Sequence, residues 1–328
     1  MATETFSDMQ PLVWVVDSAY TGELHARTGV AERLGYGYEL IPMPNGDASR
    51  YQKALLAKYK ASCNGYRPPL LVISGTGEET TAEIADLREV FNENLFNIYL
   101  ASILPDEHHP RLKEYDLIAS PQLTGNNVVT LTCVPHQLTR DQLATALQQH
   151  ASYFDTLPKP IIGLLVGGNT RYCDGFNEVH ARQLAQRVAK IAKPLGGSIV
   201  ITNSRRTPEP ALSALLEALA EFKHYFFDWQ AIESSFYHAL LAYADLFIVT
   251  GDSLSMCSEA AFTGKPILTD LSENATESYH REIVGNLINC GAAKLLSDRF
   301  EPWTYKPKDP TGEVVEAVNA RLQQLIAR

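Results

Sequence analysis

Three short segments carry residue types suited to holding a phosphate-bearing molecule. Gly167-Gly168-Asn169-Thr170 follows the apolar run Ile161–Val166, and a glycine pair lets a backbone approach a ligand closely. Asn203-Ser204-Arg205-Arg206-Thr207 follows the run Ser198–Thr202. Its two guanidinium groups form a local positive spot, and each suits bidentate bonding to phosphate oxygens. Asp252-Ser253-Leu254-Ser255-Met256 follows the run Leu246–Val249 and opens a helical pattern over Leu254–Phe262. Strand, short turn and helix together aim backbone N–H groups and the positive end of a helix dipole at an anion. Asp252 or Ser253 is expected to cap that helix, and Thr207 the helix that follows Ser198–Thr202, with Pro208 as its first residue. Glu259 lies on the same face as Asp252 and Ser255, about 10 Å beyond Asp252. That is the reach from a diphosphate at the helix tip to the ribose of the same nucleotide, where a carboxylate accepts ribose hydroxyls. Taken singly, each segment reads equally as an ordinary turn, a surface ion pair or a capped helix. Their coincidence at the strand ends of one sheet favours a phosphate-bearing ligand. None is a named motif: GGNTRY lacks the third glycine of GxGxxG, and no GxxxxGK[ST] occurs.

The first half offers less. Asp17 and His25, in the segment DSAYTGELH after the first apolar run, supply a carboxylate and an imidazole, the groups a general base requires. The same segment also reads as a capped helix start with a surface histidine. Ser74-Gly75-Thr76-Gly77-Glu78-Glu79 has no lysine and is read as a tight turn or acceptor-side loop. No Ser/His/Asp set or GxSxG elbow is present, which leaves hydrolase chemistry of that type without support.

The elements that must position these residues alternate along the chain. Strands are expected at Leu12–Val16, Gly37–Ile41, Leu70–Ile73, Phe96–Leu100, Asp116–Ala119 and Asn127–Thr132, with helices near Glu23–Leu34, Ser49–Tyr59, Thr81–Phe91 and Arg140–Gln149. Asp155–Pro160, with two prolines in DTLPKP, reads as a linker. The alternation then restarts with strands Ile161–Val166, Ser198–Thr202, Tyr225–Phe227, Leu246–Val249 and Pro266–Thr269 and their intervening helices. Alternation of this kind means βαβ units and parallel sheets. The expected architecture is α/β, with two Rossmann-like doubly wound domains facing a cleft. Their bounds are 1–155 (acceptor side) and 156–310 (nucleotide side), followed by a last amphipathic helix within 311–328.

Composition narrows the class. The chain has 328 residues, 45% of them apolar and 20% charged, and a formal net charge of −10. That charge argues against a nucleic-acid binder and against an anionic membrane surface. No apolar run approaches the roughly 18 residues of a membrane span, and MATETFSDMQ is neither a secretory signal nor a transit peptide. Five scattered cysteines without zinc spacing point to a reducing, cytoplasmic setting with no disulfide framework. The adjacent His108 and His109 read as a solvated loop pair, so no metal is expected.

The segments LLVGGNTR, GGSIVITNSRRTP and YADLFIVTGDSLSMCSEAAFTGKPI resemble, in order and spacing, the C-terminal half of the mitochondrial-fission ELM-type family. NVVTLTCVPHQLT extends the resemblance more weakly into the first half. The resemblance implies a GT-B-like architecture, as in metal-independent glycosyltransferases that use nucleotide-sugars. It implies that Gly167, Gly168, Ser204, Arg205, Arg206, Ser253, Leu254, Ser255 and Met256 surround a donor diphosphate, UDP being the favoured carrier, and that Glu259 holds the ribose. The last helix would cross back onto the first domain. The expected activity is sugar transfer to a glycan or lipid acceptor, without a cofactor or metal. The alternatives are a nucleotide-sugar epimerase of the same architecture, or a non-catalytic nucleotide-binding scaffold with a protein partner. Where the family carries a Pro-x-His-Asp turn, this chain reads Ser120-Pro121-Gln122-Leu123-Thr124-Gly125.

Overall fold

The computed structural model describes residues 13–41, 69–76, 81–91, 95–101, 109–231 and 233–326. The helix expected over Ser49–Tyr59, the acidic pair Glu78-Glu79 and His108 lie outside the described residues. The chain divides into two compact units: one runs to Gln137 and resumes at Pro310, and the other spans Leu138–Asp309.

In the first unit the strands are β1 (Val13–Val16), β2 (Tyr38–Ile41), β3 (Leu71–Gly75), β4 (Phe96–Leu100), β5 (Leu117–Ser120) and β6 (Val128–Thr130). They form one parallel sheet of order β2-β1-β3-β4-β5-β6, which reverses between β1 and β3. β1, β3, β4 and β5 are buried throughout, as strands covered on both faces must be, and so they read as unbroken apolar runs. Helices α1 (Thr21–Leu34) and α2 (Thr81–Phe91) follow β1 and β3.

The second unit begins with α3 (Arg140–Gln149) and α4 (Ala151–Phe154). Its strands are β7 (Ile161–Leu165), β8 (Ser198–Thr202), β9 (His224–Phe227), β10 (Leu246–Thr250), β11 (Ile267–Asp270) and β12 (Ala293–Leu295). Between them run α5 (Glu178–Leu195), α6 (Glu209–Ala218), α7 (Ser234–Tyr243), α8 (Leu254–Thr263) and α9 (Ser278–Asn289). The sheet order β12-β11-β10-β7-β8-β9 is parallel and reverses between β7 and β10. α5 shows how its helices dock: Ala181, Leu184, Ala185, Val188, Ile191 and Ala192 bury one stripe, and the Asn177 side chain caps its start through the His180 N–H.

The boundary differs from the expected one. α3 and α4, assigned by sequence to the first domain, belong to the second unit, and DTLPKP lies inside that unit. The reason is side-chain bonding. The Tyr243 hydroxyl of α7 donates to the Leu147 carbonyl at 3.0 Å, His150 Nε2 bonds Ser235 Oγ at 3.1 Å, and the Arg140 guanidinium lies 4.1 Å from the centre of the Phe262 ring. β12 was not expected: of its residues Ala293, Lys294 and Leu295, only Ala293 is buried, so no unbroken apolar run marks it.

The final helix α10 (Pro310–Ile326) is part of the first unit. Val314, Val318 and Leu322 join Ala26, Val30, Ala31 and Leu34 of α1 in one core. Thr311 fastens the start of α10, its hydroxyl donating to the His136 carbonyl and accepting the His136 N–H. Leu322 is 4% exposed, so Leu322→Ala is expected to destabilise the first unit by roughly 2–5 kcal/mol, read as a lower denaturation midpoint for that unit.

Candidate functional site

A doubly wound sheet binds ligands outside the carboxyl ends of its strands, where the strand order reverses. In the second unit that point lies between β7 and β10, so the loops that leave these strands flank it. The loop after β8 adjoins them. All three segments singled out by sequence therefore meet at one edge of one sheet.

The three loops are knotted together through a buried carboxylate. Asp252, 3% exposed, accepts the Gly168 N–H at 2.7 Å and the Arg206 guanidinium at 2.9 Å. Burial raises its pKa above the ordinary value, and Arg206, Thr250 and Gly168 pull it back. Thr250 also accepts the Gly167 N–H at 2.7 Å. Arg206 donates further to the carbonyls of Gly168, Asn169 and Asp252, at 3.2, 3.1 and 3.1 Å. From the β8 loop, the hydroxyls of Ser204 and Thr207 both donate to the Gly167 carbonyl, and Asn169 donates its N–H to the Arg206 carbonyl. The glycine pair serves this knot: a Cβ on Gly167 would stand 2.1 Å from Asp252 Oδ2, and one on Gly168 2.1 Å from the Arg206 carbonyl oxygen.

The two expected caps are not made. Asp252 is turned to Gly168 and Arg206, and α8, whose N-cap is Ser253, has no side-chain cap. Thr207 is likewise drawn onto the β7 loop, and α6 starts one residue later than expected, with Pro208 at its N-cap. The consequence at α8 is an open helix end. The N–H groups of Ser255 and Met256 find no backbone acceptor among the described residues. Arg205 is exposed, and no hydrogen bond or ion pair engages its guanidinium among the described residues. Of the two arginines, Arg206 is committed to the scaffold and Arg205 is available.

Glu259, one turn beyond Ser255 on α8, is half-buried. Desolvation pushes its pKa up to about 7, against the opposing hydrogen bond from Tyr237. Sequence reasoning missed three neighbours of the site. Tyr237, on α7, gives Glu259 its one hydrogen bond among the described residues, at 2.6 Å. Glu277, which precedes α9, accepts the Thr170 hydroxyl, and its pKa is raised, first by burial and in small part by Asp252. His280 is 7% exposed and is pushed down to about 3 by burial and by Arg206, so the imidazole is neutral. Glu277 and His280 follow β11 at the same sheet edge, and the strand-end rule applied to that loop would have found them.

In the first unit, Asp17 lies at the carboxyl end of β1, where its Oδ1 accepts the Ser18 N–H at 2.7 Å. His25 is exposed on α1, on the side that carries Glu32. No hydrogen bond or ion pair joins Asp17 to His25. The fully buried Arg27 of α1 donates to the carbonyls of Val16, Asp17 and Thr76 at 2.8, 2.9 and 2.9 Å, tying the ends of β1 and β3. Among the described residues no group of three or more His, Cys, Asp or Glu is arranged to hold a metal ion. No helix among them is long and apolar enough to cross a membrane.

A family model described as Mitochondrial fission ELM1 matches residues 21–322. The chain belongs to this family. Mitochondrial fission protein ELM1 of Arabidopsis thaliana is 25% identical to it over 336 residues, covering 91% of this chain and 76% of the plant protein. Among solved structures, UDP-GlcNAc 2-epimerase from Methanocaldococcus jannaschii matches with a TM-score of 0.61 at 13% identity, over 96% of this chain and 100% of the other. A second structure of that enzyme, in complex with UDP-GlcNAc and UDP, matches with a TM-score of 0.51 at 12% identity, over 95% and 100%. A UDP-glucosyltransferase from Polygonum tinctorium matches with a TM-score of 0.56 at 11% identity, over 94% and 89%. These likenesses bear on the fold: two Rossmann-like α/β units of the GT-B-like class, an architecture shared by glycosyltransferases and epimerases.

Two outcomes check this geometry. Asp252→Ala strands the Arg206 charge and the Gly168 N–H and is expected to lower stability by about 3–5 kcal/mol, whereas Arg205→Ala is expected to stay within about 0.5 kcal/mol. Chemical denaturation measures both. Burial favours the protonated form of Glu259, so this carboxyl costs stability as pH rises from the ordinary 4.5 through about 7. Glu259→Gln removes that cost, and its melting temperature should exceed the wild type's above pH 7 and approach it below pH 4.5.

Proposed function

We propose that this member of the Mitochondrial fission ELM1 family binds a nucleoside diphosphate-sugar, with UDP as the carrier, at the carboxyl edge of the second sheet. It would transfer the sugar to a glycan or lipid acceptor without a metal. The observation that carries the reading is the uncapped start of α8 at the point of strand reversal. Asp252, the residue best placed to satisfy that helix end, is instead held by Gly168 and Arg206. The N–H groups of Ser255 and Met256 would then receive the diphosphate, with Arg205 as the mobile cation and Glu259 at the ribose. Gly167, Gly168, Asn169, Ser204, Arg206, Thr207, Asp252, Ser253 and Leu254 form the surrounding wall.

In the transfer step an acceptor oxygen attacks the anomeric carbon as the bond to the diphosphate breaks, and the bonding electrons leave with the diphosphate. Fixed N–H dipoles and a guanidinium at that place stabilise the charge as it develops, with no reorganisation at the moment of reaction. On the acceptor side, Asp17, at a strand's carboxyl end, is the better candidate to take the acceptor's proton. His25 faces solvent beside Glu32 and is the weaker one. The likeness to UDP-GlcNAc 2-epimerase, which spans that entire enzyme, favours a second reading in which the chemistry occurs on the donor itself. Incubation with UDP-GlcNAc alone separates the two: an epimerase converts it, and a transferase without acceptor leaves it largely intact.

The test is a thermal-shift panel of nucleoside diphosphates on the wild type, Arg205→Ala and Arg206→Ala. A nucleotide at about 100 times its Kd stabilises the second unit by roughly 2.7 kcal/mol. Arg205→Ala should fold normally and weaken binding by about 1.5–3 kcal/mol, the worth of a charge-assisted hydrogen bond. Arg206→Ala should melt early even without nucleotide. Absence of a shift with every diphosphate would overturn the reading in favour of a non-catalytic scaffold.

A further inference from the structure

Glu259 enters the proposed site from α8 with one of its oxygens already engaged. Oε2 accepts the Tyr237 hydroxyl from α7 at 2.6 Å, and Oε1 makes no hydrogen bond among the described residues. A carboxyl on a flexible side chain samples many orientations, and a single strong donor on a packed helix selects one. Tyr237 is suited to this. Burial and the neighbouring carboxylate push the phenol well above its ordinary pKa, so it remains a donor throughout the neutral range.

The electrostatic surroundings of the pair are sparse. α8 is packed by α7, α9 and β10. α7 carries Tyr237, His238 and Tyr243, of which only Tyr237 acts on the carboxyl; α9 carries Tyr279, His280, Arg281 and Glu282, none of which bears on it, and β10 carries no titratable side chain. Cys257, on α8 itself, bears on Tyr237 rather than on Glu259. Among the described residues no cation bears on Glu259. Its charge depends on the balance between burial and one phenol.

We propose that Tyr237 is a positioning residue, which fixes the Glu259 carboxylate to accept both hydroxyls of a ribose and so lets the site prefer ribonucleotides over 2′-deoxyribonucleotides. This rests on the nucleotide-binding reading above. The ribose diol has two O–H donors where deoxyribose has one, and an ionised carboxylate has lone pairs for both beside the Tyr237 bond. Protonation of Glu259 removes an acceptor position and the charge assistance. The preference is therefore present above about pH 7 and fades as pH falls through it. Loss of the Tyr237 hydroxyl takes away the one bond that favours the anion, and the fade moves to higher pH.

Calorimetric titration of UDP, 2′-deoxy-UDP and pyrophosphate on both sides of pH 7 tests this with the wild type, Tyr237→Phe and Glu259→Gln. The wild type should prefer UDP over 2′-deoxy-UDP by about tenfold on the alkaline side, from one hydrogen bond to a charged acceptor. Tyr237→Phe should lose most of that preference at neutral pH and recover part of it only at higher pH, with pyrophosphate affinity unchanged. Glu259→Gln should show a flat pH profile, and it carries the test if Tyr237→Phe proves unstable. A Tyr237→Phe protein with the wild-type preference and the wild-type pH midpoint overturns the inference, as does a wild type that binds UDP and 2′-deoxy-UDP alike. In the latter case UDP still binds, so the nucleotide reading survives. A wild type that binds neither nucleotide at any pH overturns that reading itself.

Discussion

The carboxylate of Asp252 is the point on which the ligand-facing edge of the second unit depends. A buried carboxylate must be compensated, and the protein does so by drawing in an amide from the β7 loop and a guanidinium from the β8 loop. Everything else at that edge follows from this demand. The glycine pair exists because neither loop could otherwise come so close. Arg206 is tied down, and α8 is left without its cap. A residue type that ordinarily closes a helix end is used here to hold two other loops, and the helix end stays open as a consequence.

This explains which parts of the site could be read from the chain and which could not. Strands buried on both faces show as apolar runs, and a strand, a short turn and a helix in succession locate a reversal-edge loop; Gly167–Thr170, Asn203–Thr207 and Asp252–Met256 were all legible in this way. The division of labour between Arg205 and Arg206 was not. It is decided by which of two adjacent side chains meets Asp252, forty-six residues away from Arg206, and no local pattern encodes that. Tyr237 was hidden for a related reason: in SSFYHALLAY it reads as one more position on an apolar helix, and its value comes from the hydroxyl of a ring otherwise placed for packing. The domain boundary was misread because prolines mark a turn wherever they fall, whereas the membership of α3 and α4 is settled by contacts with α7 and α8.

The two sheets treat their points of reversal differently. In the first unit the crevice between β1 and β3 is spanned by Arg27, whose guanidinium is spent on three backbone carbonyls and is fully buried. In the second, a charged pair braces the crevice from one side while open amides and an exposed arginine remain on the other. The same topology thus yields one edge that is closed by a side chain and one that leaves a helix end and an arginine open.

The placement of α10 has a consequence for how the protein is made. Val314, Val318 and Leu322 complete a core whose other buried members lie between Val13 and Leu131. During synthesis the N-terminal sheet must therefore emerge and wait, with one apolar face covered only in part by α1, while the whole of the second unit is translated and folded. Only when α10 has been made is that face sealed. The second unit is thus able to become complete before the first, and until α10 is made the nascent chain carries exposed apolar surface, an interval in which a chaperone would find its substrate.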